Sequence, residues 1–193
     1  MSEDDPVQLF LDWYVEAVRQ KDPLPEAMTL ATATPQGAPS ARLVLFKGIT
    51  GGRITFFTNY DSRKARELEA NPRAALVFYW TSLHRQVRIE GTVERVESAQ
   101  SNAYFSTRPR TSQLSAWASP QSREVSSREE LDRAYREVEQ RFSGRDVERP
   151  PNWGGYGLKP ERFEFWIGRE HRLHDRYLYL RSGEQWTRTM LAP

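Results

Sequence analysis

Four cations surround one short unit of the chain. Arg42 and Lys47 bracket the apolar run Leu43-Val44-Leu45-Phe46, and Arg63 and Lys64 follow Asp61-Ser62. The stretch Arg42 to Lys64 reads as a strand, a Gly-rich turn, a second strand and the start of a helix. Asp61 or Ser62 can cap that helix, which puts Arg63 and Lys64 in its first turn. A helix N-terminus already carries partial positive charge, so two cations there are unfavourable unless an anion is present. Free backbone N–H groups, a hydroxyl and two cations together suit a phosphate. The stretch therefore points to a phosphorylated cofactor. A single Arg or Lys ordinarily faces solvent; it is four around one unit that suggest a site. Arg42 and Lys47 are five residues apart, so a regular strand would aim them at opposite faces. A shared ligand needs a twist, a bulge, or a ligand that wraps the strand end.

Two further groups could do chemistry. Tyr104 and Arg108 are four apart and share a helix face, with Ser112 just beyond; phenol, guanidinium and hydroxyl would make a second anion site. The plainer role for Arg108 is to complement a helix C-terminus. The run Glu170 to Arg176 is the densest polar cluster, with His171 and His174 flanking Arg172. An imidazole there can serve as a hydrogen-bond partner or base near an anion, or the run can be a turn held by Asp175. With three His and no Cys, a complete metal-ligand set is not expected. Trp166 precedes the cluster and could stack on a planar ring. No nucleophile–base–acid triad is evident, so a cofactor is expected to do the chemistry while the protein binds and orients.

These groups need a scaffold, and the pattern supplies one. Pro6 to Gln20 reads as an amphipathic helix capped by Asp5, with Val7, Phe10, Leu11, Tyr14 and Val18 on its apolar stripe. Strands are expected at Ala27 to Thr34, Ser40 to Lys47 and Arg53 to Asn59, with Ile49 to Gly52 as a turn. The charged helix runs from about Ser62 to Ala70. Strands follow at Ala74 to Trp80 and Gln86 to Val96. A helical insertion, about 98–143, holds Ser98 to Thr107, Thr111 to Ala118 and Ser127 to Phe142. Ser127 and Glu130 form a capping box for the last, whose stripe is Leu131, Ala134, Tyr135, Val138 and Phe142. Arg149 to Gly157 reads as a Pro/Gly loop. Gly157 to Ile167, Tyr177 to Leu180 and Gln185 to Met190 return to strand. Many short strands interrupted by helices predict a mainly-β (α+β) antiparallel barrel with helical trim, as one domain over residues 1–193. The absence of βαβ alternation and of GxGxxG argues against a dinucleotide fold.

Composition narrows the partners. A net charge of +2 implies no whole-molecule attraction to nucleic acid. The lack of Cys removes disulfides and thiolate chemistry. No apolar run approaches a membrane span, and the acidic start Met1-Ser-Glu-Asp-Asp-Pro6 is unlike a targeting peptide, so the expectation is a cytoplasmic protein.

Across nearly the whole chain, from about Asp5 to Pro193, the motifs RLVLFK, FFTNYDSRKARELEANPRAAL, RQVRIEG, YFSTRPRTSQLSAWAS, the WGGY loop, EFW and HRLHDRYLY occur in the order seen in pyridoxine/pyridoxamine 5'-phosphate oxidases, which this chain resembles. The resemblance implies an FMN-binding antiparallel Greek-key split β-barrel, working as a homodimer with FMN at the subunit interface. It implies oxidation of pyridoxamine 5'-phosphate or pyridoxine 5'-phosphate to pyridoxal 5'-phosphate, with O2 as acceptor and H2O2 as by-product. Arg42, Leu43, Val44, Leu45, Phe46, Lys47, Phe57, Thr58, Arg63, Lys64, Gln86, Gln121, Ser122, Trp166 and Arg176 match FMN contacts. Lys47, Tyr104, Arg108 and Ser112 match the substrate-phosphate site. Arg172 and His174 match the catalytic pair over the substrate ring, Arg172 to orient it and His174 to hydrogen-bond it or move a proton. Lys47 then stands between the two phosphates.

Some positions depart from the family pattern. Phe57 stands where Tyr is frequent, Met190 where an Arg often precedes Leu-Ala-Pro, and nothing before Asp5 matches an N-terminal arm with Arg and Tyr. Two rival readings share the motifs: a flavin oxidase of the phenazine-biosynthesis type, and a non-catalytic flavin- or pyridoxal-phosphate-binding protein. The presence of Lys47, Tyr104, Arg108, Ser112, Arg172 and His174 favours the vitamer phosphate.

Overall fold

The computed structural model describes residues 5–193; the acidic start, residues 1–4, lies outside them. Helix α1 (Pro6–Arg19) begins as its sequence dictates: Asp5 accepts a hydrogen bond from the Val7 amide, and Pro6 occupies the first helical position. Its buried face is Pro6, Phe10, Trp13 and Ala17, whereas Val18 is half exposed. The expected stripe was thus rotated: 10, 13 and 17 fall on one line at i+3 and i+4, and position 18 lies about 100° further round.

Strands β1 (Ala27–Ala33), β2 (Pro39–Leu45), β3 (Ile49–Thr50), β4 (Arg53–Asn59), β5 (Arg73–Trp80), β6 (Arg85–Arg95), β7 (Trp153–Ile167), β8 (Asp175–Ser182) and β9 (Gln185–Leu191) form one antiparallel sheet. The order is β2-β1-β5-β6-β7-β4-β3, with β8 and β9 added to β7. Closure comes just past β2, where the Lys47 amide donates to Thr55 O and the Thr55 amide donates to Gly48 O. The split lies on β7. Residues 153–158 pair with β4, and residues 162–167 pair with β8. A bulge at Glu90/Gly91 on β6 marks the division. Phe10 plugs the barrel, its ring packed on Phe46, Phe78 and Trp80.

Two segments depart from their expected form. Ile49-Thr50 is a short strand, with only Gly51 and Gly52 turning, both at positive φ. The stretch Trp153 to Gly157 is strand, not loop. Its glycines serve close approach: a Cβ on Gly154 would meet Tyr60 Oη at 2.1 Å, and one on Gly155 would meet the Phe57 ring at 2.8 Å.

Helices α2 (Arg63–Ala70), α3 (Ser98–Thr107), α4 (Arg110–Ala118) and α5 (Arg128–Arg141) complete the chain. Ser127 accepts from the Glu130 amide, while the Glu130 carboxylate accepts from the Ser126 amide, one residue before the expected partner. The insertion carries its own small core of Phe105, Leu114, Phe142, Val147 and Trp153, with Phe57 and Tyr104 packed against it. That core fixes α3 beside β4. Among the described residues, no helix is long and apolar enough to cross a membrane.

Candidate active site

A cavity of about 340 Å³ is lined by Arg42, Leu43, Val44 and Leu45 of β2 with Lys47 just beyond it, by Phe57 and Thr58 of β4, Lys64 of α2, Tyr104 and Arg108 at the end of α3, Gln121, and Trp153 of β7. Arg42 and Lys47 do face one space. The regular strand stops at Leu45, the backbone changes partner from β1 to β4 over 46–48, and Gly48 has φ +96°. The break cancels the alternation that would have separated them.

The α2 start falls where the sequence puts it, but the Ser62 side chain makes no capping hydrogen bond. Ser62 is the cap residue, and Arg63 and Lys64 form the first turn. Lys64 Nζ donates to Gln121 Oε1 (2.9 Å) and Thr58 Oγ1 (3.1 Å). Burial, and then the nearby Arg42 charge, pull the Lys64 ammonium down to about 8. Arg42 is tied to Leu30 O, Thr32, Ser40 and Glu67. Arg63 lies beside the wall, its Nε donating to Glu67 at 2.8 Å.

The second anion group is organised by aromatic rings. Phe57 stacks on Tyr104 with centroids 4.0 Å apart and on Trp153 at 5.4 Å. Lys47 Nζ lies 6.0 Å from the Tyr104 ring, and the Arg108 guanidinium lies 4.6 Å over Trp153. Burial pulls the Arg108 guanidinium below its usual value, and its Nη1 is buried without a hydrogen-bond partner. A buried guanidinium nitrogen is costly to leave unpaired. An anion beside this guanidinium would offset that cost, and a second anion at the other group would offset the unfavourable setting of Lys64. The donor set therefore fits a phosphorylated ligand.

The remaining predicted residues lie elsewhere. Phe46 turns its ring into the barrel core. Ser112 is half-buried in the first turn of α4, and Ser122 is exposed with φ +69°; neither is on the cavity wall. Gln86, Trp166 and Arg176 are register partners across β6, β7 and β8. Arg176 donates to Glu164 and to Ala192 O. The His174 ring lies 4.6 Å from Trp166, and its Nδ1 accepts from the Arg169 amide. In its neutral form that ring carries its proton on Nε2 and presents a donor. Arg172 is exposed, and it and His171 are consecutive left-handed residues. Asp175 does anchor this turn, through Arg169 at 2.8 Å.

The two groups are far apart on one chain. Trp153 and Trp166 lie at opposite ends of the same strand; at about 3.3 Å per residue, thirteen steps come to roughly 40 Å along it. A mononucleotide cannot span that. Sequence reasoning missed two residues of this site. Trp153 was hidden in an apparent loop, and Glu67 carried one signal, its i+4 spacing from Arg63.

The barrel whose outer edge divides along β7, with a cation-lined and ring-walled cavity, is the split barrel of pyridoxamine 5'-phosphate oxidase-like proteins. A solved structure with the same fold, described as a pyridoxamine 5'-phosphate oxidase-related, FMN binding protein from Nostoc punctiforme PCC 73102, superposes with a TM-score of 0.78 at 22% identity, covering all of both chains. PhzG from Burkholderia lata 383, solved in complex with tetrahydrophenazine-1-carboxylic acid, superposes at 0.94 with 33% identity, over 100% of this chain and 94% of its own. Residues 14–142 match the family model described as Pyridoxamine 5'-phosphate oxidase, and residues 153–193 match the one described as Pyridoxine 5'-phosphate oxidase C-terminal dimerisation region. A pyridoxine/pyridoxamine 5'-phosphate oxidase of Rubrobacter xylanophilus is 58% identical over 100% of this chain and 88% of its own. One from Coxiella burnetii is 51% identical over 98% and 96%. The chain belongs to the pyridoxine/pyridoxamine 5'-phosphate oxidase family, a family of oxidoreductases.

Proposed function

We propose that this chain is an FMN-dependent oxidase of pyridoxamine 5'-phosphate and pyridoxine 5'-phosphate. Each substrate would yield pyridoxal 5'-phosphate and H2O2 at the expense of O2, with water consumed and ammonia released in the amine case. The observation that carries this reading is that Lys47 and Arg108 line the same cavity as Lys64 and Arg42. It supports two anion anchors, one for each phosphate.

Lys64, Arg42 and Arg63 would hold the FMN phosphate, with Thr58 and Gln121 fixing Lys64. Lys47, Tyr104 and Arg108 would hold the vitamer phosphate, with Ser112 just outside the cavity wall, and Phe57, Tyr104 and Trp153 wall the cavity with apolar rings. The chemistry that bound FMN supplies is two-electron transfer from the substrate's 4' carbon to O2. The chain's part is to hold the rings in reacting order and keep water out. Arg172 would orient the substrate, and His174 would donate a hydrogen bond from Nε2. Because Gln86, Trp166, Arg172, His174 and Arg176 are remote from the cavity on their own chain, we assign them to the cavity of a second copy. The match of 153–193 to a dimerisation region supports that homodimer; FMN would then lie at its interface.

PhzG supports a related flavin oxidase as the rival. Its ligand is named as a carboxylic acid, whereas this cavity offers Lys47 and Arg108 for a phosphomonoester. The relatives at 51–58% identity carry the vitamer-phosphate name. Purified protein should be yellow and consume oxygen with either vitamer phosphate. A colourless protein, inactive after FMN is added, overturns the reading.

A further inference from the structure

We propose that Glu67 is a positioning residue for the flavin phosphate: its buried carboxylate, braced by Thr32, Ser40 and Arg42 of the sheet, holds Arg63 on α2 so that the terminal fork of Arg63 addresses the anion. The inference rests on reading this end of the cavity as the FMN phosphate site.

Glu67 is one helical turn after Arg63 and only 6% exposed. Its Oε1 accepts from Arg63 Nε at 2.8 Å. Its Oε2 accepts from Thr32 Oγ1 and Ser40 Oγ, both at 2.5 Å, and from Arg42 Nη2 at 3.3 Å. Arg42 donates in turn to Thr32 Oγ1 at 2.5 Å and to Ser40 Oγ. The network is closed, and both carboxylate oxygens are used. Burial pushes the Glu67 carboxyl up, but hydrogen bonds from Ser40, Thr32 and Arg63 outweigh it and hold the group at about 2. It is an anion at every working pH.

A buried anion beside a phosphate site needs a reason, since on charge alone it repels the ligand. Arg42, Arg63 and Lys64 with Glu67 leave two positive charges, the match for a phosphomonoester dianion. Removing Glu67 would add attraction but free the long side chain of Arg63, whereas Arg42 keeps Leu30 O, Thr32 and Ser40. Arg63 is mostly exposed and has no other anchor on its Nε; with Nε engaged, its two terminal nitrogens remain as a planar fork. Ordering that fork before binding removes an entropic cost from the complex.

Glu67→Gln separates the effects. Three donors converge on Oε2, so the amide oxygen must sit there. The amide nitrogen then faces Arg63 Nε, donor against donor, and Arg63 is released.

The experiment measures dissociation constants for FMN and for riboflavin, which has the ring without the phosphate, by fluorescence quenching. The proteins are wild type, E67Q, R63A and the double variant, each with its melting temperature. E67Q should weaken FMN about tenfold, the worth of one charge-assisted hydrogen bond, and leave riboflavin unchanged. On the R63A background E67Q should add little, because the two act as a unit. Tighter FMN binding by E67Q would mean that Glu67 only repels. Equal loss of both flavins would mean a folding role. Additive losses would mean no coupling to Arg63. Each overturns the proposal, as does unchanged FMN binding. If E67Q does not fold, E67D is read by the same criteria, since it keeps the charge but shortens the reach to Arg63. Wild-type protein that binds neither flavin overturns the cavity reading and this proposal with it.

Discussion

Lys64 makes the affinity for a phosphorylated ligand depend on pH in a calculable way. Its Nζ is held by Thr58, Ser62 and Gln121, all neutral, and the charge it feels is that of Arg42. With the ammonium at about 8 in the free protein, roughly nine-tenths of molecules carry it protonated at pH 7 and one-tenth at pH 9. An anion binds the protonated form and restores its basicity. FMN affinity should therefore fall about tenfold from pH 7 to pH 9, since the competent fraction falls by that factor. The phosphate is already a dianion in this window, so its own titration does not intrude. The assay is FMN fluorescence quenching at pH 7, 8 and 9 and constant ionic strength, with riboflavin as control. Lys64→Met should bind FMN weakly at every pH, with the slope abolished. The sign for stability is the reverse. The unfolded chain keeps this proton to about 10.5, and the fold releases it above about 8. The unfolded state thus binds more protons between these values, and the ligand-free protein should gain stability as pH rises through them. A flat affinity from pH 7 to pH 9 in wild type, or a retained slope in K64M, refutes the reasoning.

Three other perturbations are specific. Arg108→Met should raise the half-saturating concentration of the vitamer phosphate about ten- to a hundredfold and leave FMN affinity alone; the melting temperature should change little, because the lost contact with the Trp153 ring is offset by relief of the unpaired Nη1. Gly155→Ala should push its Cβ against Val96 (2.6 Å) and Phe57 (2.8 Å); at about 1–3 kcal/mol for overpacking, and about 2–4 °C per kcal/mol, a thermal melt will register it. Inactive Lys64→Met and Arg172→Ala chains, unfolded together and refolded, should recover about a quarter of wild-type oxygen consumption, since half the dimers are mixed and each mixed dimer has one intact site. No recovery would mean that both residues serve the cavity of their own chain.

Much of this protein is local and so was written in its sequence. Asp5-Pro6 starts α1, and Ser127 caps α5, because a cap is satisfied within three residues. The strands alternate because one face is buried. The placing of Arg63 and Lys64 in a first helical turn was likewise legible, and it is the basis for expecting an anion there. What the chain order hid is what distant segments decide. The glycines at 154, 155 and 157 read as loop, yet they are strand positions where Tyr60, Phe57 and Arg53 come close. Glu67 shows nothing along the chain beyond its i+4 spacing from Arg63, yet its other partners lie on β1 and β2. Arg42 and Lys47 share a cavity only because the backbone changes partner between them to close the barrel. Gln121 meets Thr58 and Lys64 from 57 and more residues away. Backbone hydrogen bonding and hydrophobic period act over a few residues and can be read along the chain. Burial, charge pairing and the change of backbone partner that closes the barrel act across the fold, and only the tertiary structure decides them.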